Sequence, residues 1–178
     1  MPFTLTKQNI LCYADKYDEK FKKTEDFFAE KELKDWLSEH KYLNRNKFIK
    51  LGLWKSKRPK RHYENSKNTD EFVKDITSLA FKTNNERERI ESLLSINNGI
   101  KGVSWPVAST ILHFAFPENY SIMDFRVIWS LGWQQPKYYT FEFWQKYIEI
   151  LKGLSDKFNL PLRVIDKALW FYSKENQK

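Results

Sequence analysis

One cysteine, three histidines, five glycines and two methionines are spread over 178 residues, and each scarcity removes a class of protein. The lone Cys12 excludes a disulfide framework within the chain, a four-cysteine iron–sulfur cluster and a cysteine-based zinc site. His40, His62 and His113 lie too far apart to supply metal-ligand spacing with it, so no metal centre is expected. No stretch approaches the roughly 18 consecutive apolar residues of a membrane span. The first twenty residues turn polar too early for a secretory leader. The expectation is a soluble cytoplasmic protein with no membrane association and no obligate protein partner. A nucleotide P-loop, a dinucleotide fingerprint and a Ser-His-Asp set are also missing.

What is present is apolar bulk and positive charge. Hydrophobic residues make up 41% of the chain and aromatics 17%, including seven Trp and fourteen Phe. That is enough to fill the interior of a single domain spanning 1–178, or of two small lobes sharing a core. The formal net charge is +8. It is concentrated in residues 41–67, where ten Lys and Arg face one acid, Glu64, so that this segment carries +9 and the rest of the chain about −1. Charge gathered in one place suits a polyanion such as nucleic acid. Lys47, Lys55, Lys57, Arg58, Lys60 and Arg61 are the candidate phosphate contacts. Tyr42, Phe48, Trp54 and Tyr63 are interleaved with them, where rings can stack on bases. A solvated basic loop is the plainer alternative.

The pattern is helical nearly throughout, which predicts an all-α fold. Thr4 or Thr6 caps a helix reaching Tyr17, and Thr24 caps another over Glu25–His40. Asn46 caps a third, over Lys47–Leu53. Lys55–Asn68, marked by Pro59 and strong polarity, reads as a loop. Thr69 starts a helix through Phe81 with Phe72, Val73, Ile76 and Leu79/Ala80 along one face. Asn84 or Asn85 caps Glu86–Ile96. Ser104 is placed to cap an apolar helix from Trp105 to Phe116, with Pro106 in the first turn, where a missing N–H costs nothing. Asp124 opens a helix ending near Leu131–Gly132, and helices over Thr140–Leu154 and Pro161–Lys174 complete the chain.

The most specific stretch runs from Leu94 to Gly132. A turn at about 97–104, punctuated by Gly99 and Gly102, separates two helical patterns, and Asp124 follows 22 residues after Gly102. The glycines allow positive φ and close approach to a ligand. The helix that follows exposes unpaired N–H groups carrying partial positive charge. Gly99, Lys101, Gly102, Val103 and Ser104 can therefore hold a phosphate oxygen through main chain alone, independent of sequence. Read by itself, the turn is equally compatible with a structural link between helices. Asp124 is a natural N-cap and, at a helix N-terminus, a carboxylate suited to staying ionised; capping and chemistry can coexist.

Ile100-Lys101-Gly102-Val103-Ser104, followed by Trp105-Pro106-Val107-Ala108, resembles the Leu-Pro-Gly-Val-Gly hairpin of the helix–hairpin–helix DNA glycosylases, the endonuclease III-like group. In that family an apolar helix follows the hairpin and a Val-Asp segment carries the catalytic aspartate. Met123-Asp124-Phe125-Arg126-Val127 stands at the corresponding spacing. The likeness is strong over about 40 residues, and the flanking helices agree in kind. It implies a compact helical domain that binds double-stranded DNA, with Asp124 catalytic. It also implies a hairpin whose carbonyls can take a monovalent cation, Na⁺ or K⁺, with no other cofactor. Two departures matter: Ser104 replaces the last hairpin glycine, and Pro106 stands where lyase-competent members carry a lysine. Proline has no amine for a Schiff base with the sugar, so the implied activity is that of a monofunctional glycosylase.

Breaking an N-glycosidic bond builds positive charge on the deoxyribose, which a fixed carboxylate stabilises. The target base must leave the stack, and Trp54, Tyr63 and Trp105 are candidates for the pocket or wedge. Arg126 is placed to meet a phosphate or a surface acid, and Lys137, Tyr138 and Tyr139 to touch the DNA backbone. The rival reading is a non-catalytic helix–hairpin–helix DNA-binding protein.

Overall fold

A computed structural model describes residues 3–177 of the chain. Among them there are ten α-helices, one 3-10 turn and no strand. The helices are α1 (Lys7–Phe21), α2 (Glu25–Glu39), α3 (Arg45–Lys55), α4 (Lys60–Tyr63) and α5 (Asp70–Lys82), followed by α6 (Glu86–Glu91), α7 (Trp105–Ala115), α8 (Phe125–Ser130), α9 (Phe141–Phe158) and α10 (Leu162–Asn176). Side chains that accept an amide two or three residues on start most of them: Thr6, Thr24, Asn44, Thr69, Asn85, Asp124 and Thr140. Each such cap is worth about 1 kcal/mol. None of the described helices is long and apolar enough to cross a membrane.

The chain divides into two compact units, one built from α2–α7 (Thr24–Phe116), the other from α1 with α8–α10. In the first, α7 is mostly apolar and is packed by α2, α3 and α6. Eight consecutive residues, Val107–Phe114, are buried. Removing Val107, Ile111, Leu112 and Phe114 from water is worth roughly 1.5–3 kcal/mol each, so the segment entering α7 has a rigid base. In the second unit α10 packs on α1, α8 and α9 around Ile128, Tyr147, Leu151, Ile165 and Leu169, all buried.

Four local expectations need correction. Asn44, not Asn46, caps α3, because Asn44 Oδ1 accepts from the Lys47 amide. Residues 55–68 are not wholly irregular: α4 forms within them because Tyr63 is drawn into the core with no exposed surface. The helix after Asn85 ends at Glu91 rather than Ile96, and a 3-10 turn, Ser95–Asn97, follows. The buried face of α5 is carried by Val73, Thr77 and Ala80, leaving Leu79 exposed. Thr77 belongs inside because its hydroxyl accepts from the Leu43 amide at 2.9 Å and donates to Val73 O at 2.8 Å, pinning the loop before α3.

Candidate functional site

The hairpin is held by its own main chain. Ser95 N–H donates to Val103 O (2.9 Å), Asn97 and Gly99 N–H both donate to Leu94 O (3.0 and 2.9 Å), and Ile100 N–H donates to Leu93 O (3.2 Å). Gly99 is required by space: a Cβ there would lie 2.5 Å from Ser92 O and 2.6 Å from the Leu93 carbonyl, both backbone. Its closeness is thus to its own chain and not to a ligand. Gly102 is required by conformation, with φ at +91°, where a Cβ is strained.

A second, unforeseen device locks the tip. Asn68 is fully buried. Its Nδ2 donates to the carbonyls of His62, Tyr63 and Lys101, and its Oδ1 accepts the Lys101 amide at 2.8 Å. The side chain therefore ties the hairpin to α4. Beside it the Tyr63 ring packs face to edge on Phe48 and lies against Gly52 and Gly102, where added Cβ atoms would approach it to 2.8 and 2.7 Å. Burial pushes the Tyr63 phenol up to about 12. A ring so enclosed neither wedges DNA nor lines a base pocket, and Tyr63 is corrected to a structural residue.

These bonds decide which hairpin amides remain to meet a ligand. Gly99, Lys101 and Val103 use theirs on Leu94 O, Asn68 Oδ1 and Ile100 O. The amides of Gly102, Ser104, Trp105 and Val107 have no acceptor among the described residues. Ser104 stands at the N-cap position of α7, yet its hydroxyl makes no capping bond. The donor set is thus shifted by three residues toward α7 from the span Gly99–Ser104. It joins the hairpin exit to the helix N-terminus, where the partial positive charge lies.

The basic segment is sorted by the fold. Through Asn68 and Tyr63, α4 is brought against the hairpin, so exposed Lys60, Arg61 and His62 neighbour Lys101. Lys57 and Arg58 are exposed just before it, and Lys60 reaches only Glu64, at 3.7 Å. Lys47 is instead ion-paired: with Lys50 it holds Glu32, at 2.5 Å from Lys47, and the two hydrogen bonds pull that carboxyl down to about 2. Arg45 bridges the carbonyls of Glu64, Asn65 and Asn68. Lys55 is half-buried at the end of α3. Trp54 lines an open cavity of about 610 Å³ with Phe28, Ile49, Leu53 and Lys57; its Nε1 donates to Asp26 O at 3.0 Å. Trp105 is half-buried at the first position of α7.

In the other unit Asp124 caps α8, its Oδ1 accepting from the Arg126 amide at 3.0 Å. The carboxylate is half-exposed, and Phe125 beside it is 51% exposed. Under it lies Tyr147 of α9, fully buried, whose hydroxyl donates to Ile122 O at 2.7 Å and bonds the main chain of Asp124. Burial, and then the charges of Asp166 and Asp124, push the Tyr147 phenol well above its usual value. It therefore stays protonated and keeps donating. Tyr139 is pushed up by burial and by Asp124, and is bonded by Gln135 Nε2. Tyr147 is a neighbour of Asp124 that the sequence does not single out, since it reads as an ordinary core aromatic; Tyr139, expected at the DNA backbone, also lies within reach of the Asp124 charge. Tyr138 is exposed, with Lys137 over its ring. Among the described residues, no group of three or more His, Cys, Asp or Glu is placed to hold a metal ion.

No protein-family model and no curated protein sequence matches the chain. Among solved structures, it is similar to the crystal structure of a Methanocaldococcus jannaschii 8-oxoguanine glycosylase/lyase in complex with a 15mer DNA containing 8-oxoguanine. The match has a TM-score of 0.53 and 20% identity, and covers 96% of this chain and 81% of that one. The fold is that of this glycosylase/lyase. The likeness read from the hairpin and Asp124 therefore holds at the level of the fold.

Proposed function

We propose that this protein is a monofunctional DNA glycosylase, which flips a damaged or modified base out of double-stranded DNA and hydrolyses its N-glycosidic bond. The observation that carries the reading is a fold shared along 96% of the chain with a DNA glycosylase/lyase. It is supported by a hairpin and helix start with four amides that have no acceptor among the described residues. In this reading the amides of Gly102, Ser104, Trp105 and Val107 grip a phosphate oxygen. Lys57, Arg58, Lys60, Arg61 and Lys101 neutralise neighbouring phosphates. Asp124 stabilises the positive charge that develops on the sugar and orients the attacking water. A bond forms between water oxygen and the anomeric carbon as the bond to the base nitrogen breaks, and the departing base takes up a proton. Pro106, in the first turn of α7, offers no amine for a covalent sugar adduct.

A monovalent cation at the hairpin is part of the same proposal. The Gly102 carbonyl, which has no donor among the described residues, is the oxygen that would take it, and no chemical step depends on it.

The test is base release from duplexes carrying alkylated, oxidised, deaminated or bulky modified bases, with alkali used to open abasic sites. Strand breaks that need alkali are expected. Breaks without alkali would contradict the monofunctional assignment. Tight, salt-sensitive binding with no release from any duplex would favour the non-catalytic DNA-binding protein.

A further inference from the structure

The strongest uncommitted feature lies in the α1/α8–α10 unit. Along α1 and α10 three cations are matched by acids: Lys16 with Glu175 at 3.0 Å, Lys167 with Asp18 at 2.6 Å and Arg163 with Asp166 at 2.5 Å. A cluster around Trp170 is different. Lys20 in the last turn of α1, Arg126 in α8 and Lys174 in the last turn of α10 have no carboxylate partner among the described residues. Arg126 and Lys174 converge on one ring: the Arg126 guanidinium lies 5.5 Å and the Lys174 ammonium 5.2 Å from the centre of Trp170. Lys174 also lies 4.9 Å from the centre of the Phe21 ring. The indole keeps the two long side chains extended and partly desolvated. Burial, and then the charges of Lys20 and Arg126, hold the Lys174 ammonium below its usual value. Like charges are thus kept together without an ion-paired carboxylate among the described residues, and an anion placed among them would relieve the repulsion.

We infer that Arg126 and Lys174, braced on Trp170 with Lys20 beside them, form a second phosphate-binding site for the DNA backbone. The inference rests on the glycosylase reading and adds to it a contact made by side chains rather than amides. Arg126 fixes where the phosphate belongs. Its own amide bonds the Asp124 carboxylate, so a phosphate on its guanidinium flanks the nucleotide on which Asp124 acts. The contact would seat the target strand whatever the base.

The test is the salt dependence of binding to a duplex with a central tetrahydrofuran abasic analogue, and to the same duplex undamaged. The proteins are wild type, Arg126→Gln/Lys174→Gln, the charge-keeping Arg126→Lys/Lys174→Arg, and Lys152→Gln/Lys157→Gln on exposed α9 positions as a matched charge control. Losing one phosphate contact lowers the slope of log K against log salt by about 0.9. That fall is expected in Arg126→Gln/Lys174→Gln, with binding weakened about tenfold at low salt, while the charge-keeping pair and the control match wild type. An unchanged slope in Arg126→Gln/Lys174→Gln, or an equal fall in the control, would overturn the inference and leave the glycosylase reading standing. Wild-type protein binding neither duplex in a salt-dependent way would end both.

Discussion

The hairpin and the Asp124 turn solve opposite problems with opposite materials. The hairpin offers ligands main-chain amides, and what fixes it is also largely main chain: two glycines that admit no Cβ, and one buried side chain, Asn68, bonded to backbone on both sides. The Asp124 turn offers one side-chain carboxylate and is fixed by side chains, chiefly the buried phenol of Tyr147. A surface made of amides tolerates any residue that leaves the backbone in place, which is why Ser104 and Pro106 can occupy their positions. A single carboxylate has no such tolerance. Under the proposed function, sequence-independent grip belongs to the first region and chemistry to the second.

The largest effect on stability should come from Asn68→Ala. It leaves the carbonyls of Tyr63 and Lys101 and the Lys101 amide unpaired, while the His62 carbonyl keeps the Asn65 amide, a loss of about 3 kcal/mol measurable by urea unfolding. If the comparison holds, the variant's DNA affinity falls while single-turnover base release at saturating DNA does not. Gly102→Ala should cost about 2 kcal/mol, because φ is +91° and the new Cβ meets Tyr63 Cδ1 at 2.7 Å. Gly153→Ala, with nothing within 4 Å inside α9, should instead stabilise by about 0.5–1 kcal/mol. Equal effects at the two glycines would remove the argument from backbone shape.

Tyr147→Phe sharpens the other half. Loss of its hydroxyl strands Ile122 O and the Asp124 main chain in the interior, costing about 1–2 kcal/mol. It should slow base release with DNA affinity unchanged; lost affinity with an unchanged rate would contradict the assignment. The smallest effect concerns Glu32. Its carboxyl is held at about 2 by Lys47 and then Lys50, against an ordinary 4.5. The stabilisation it supplies is present above about pH 4.5 and is lost as pH falls toward 2. Because the side chain is 42% exposed, the margin over Glu32→Gln near neutral pH should be below about 1 kcal/mol, vanishing at the acid end of a pH series of melting curves.

What could be read in the chain alone follows from where the determining interactions lie. Thr24, Thr69 and Thr140 announce their helices because a cap is bonded within three residues. The glycine spacing and Asp124 were legible for the same local reason. Asn68 was not, since its bonds to Lys101 span 33 positions. No pattern in residues 55–68 marks that polar stretch as the hairpin's anchor. Tyr63 was misplaced because its burial depends on Gly52 and Gly102 making room on two sides. Tyr147 reads as one more core aromatic until the 25-residue link to Ile122 O is seen. The basic segment is visible in the charge count, but not that Glu32 on α2 pairs with both Lys47 and Lys50 while Lys57, Arg58 and Arg61 stay exposed.

The division of labour is tested most directly by comparing wild type with Asp124→Asn on a duplex carrying a base that wild type releases, measuring single-turnover rate and DNA affinity together. The change keeps an oxygen to cap the Arg126 amide and removes the charge. A rate lower by about a thousandfold, near 4 kcal/mol in the barrier, with affinity within a few-fold of wild type, is the predicted result. A rate that survives the substitution would contradict the account, because the carboxylate would then be only a helix cap.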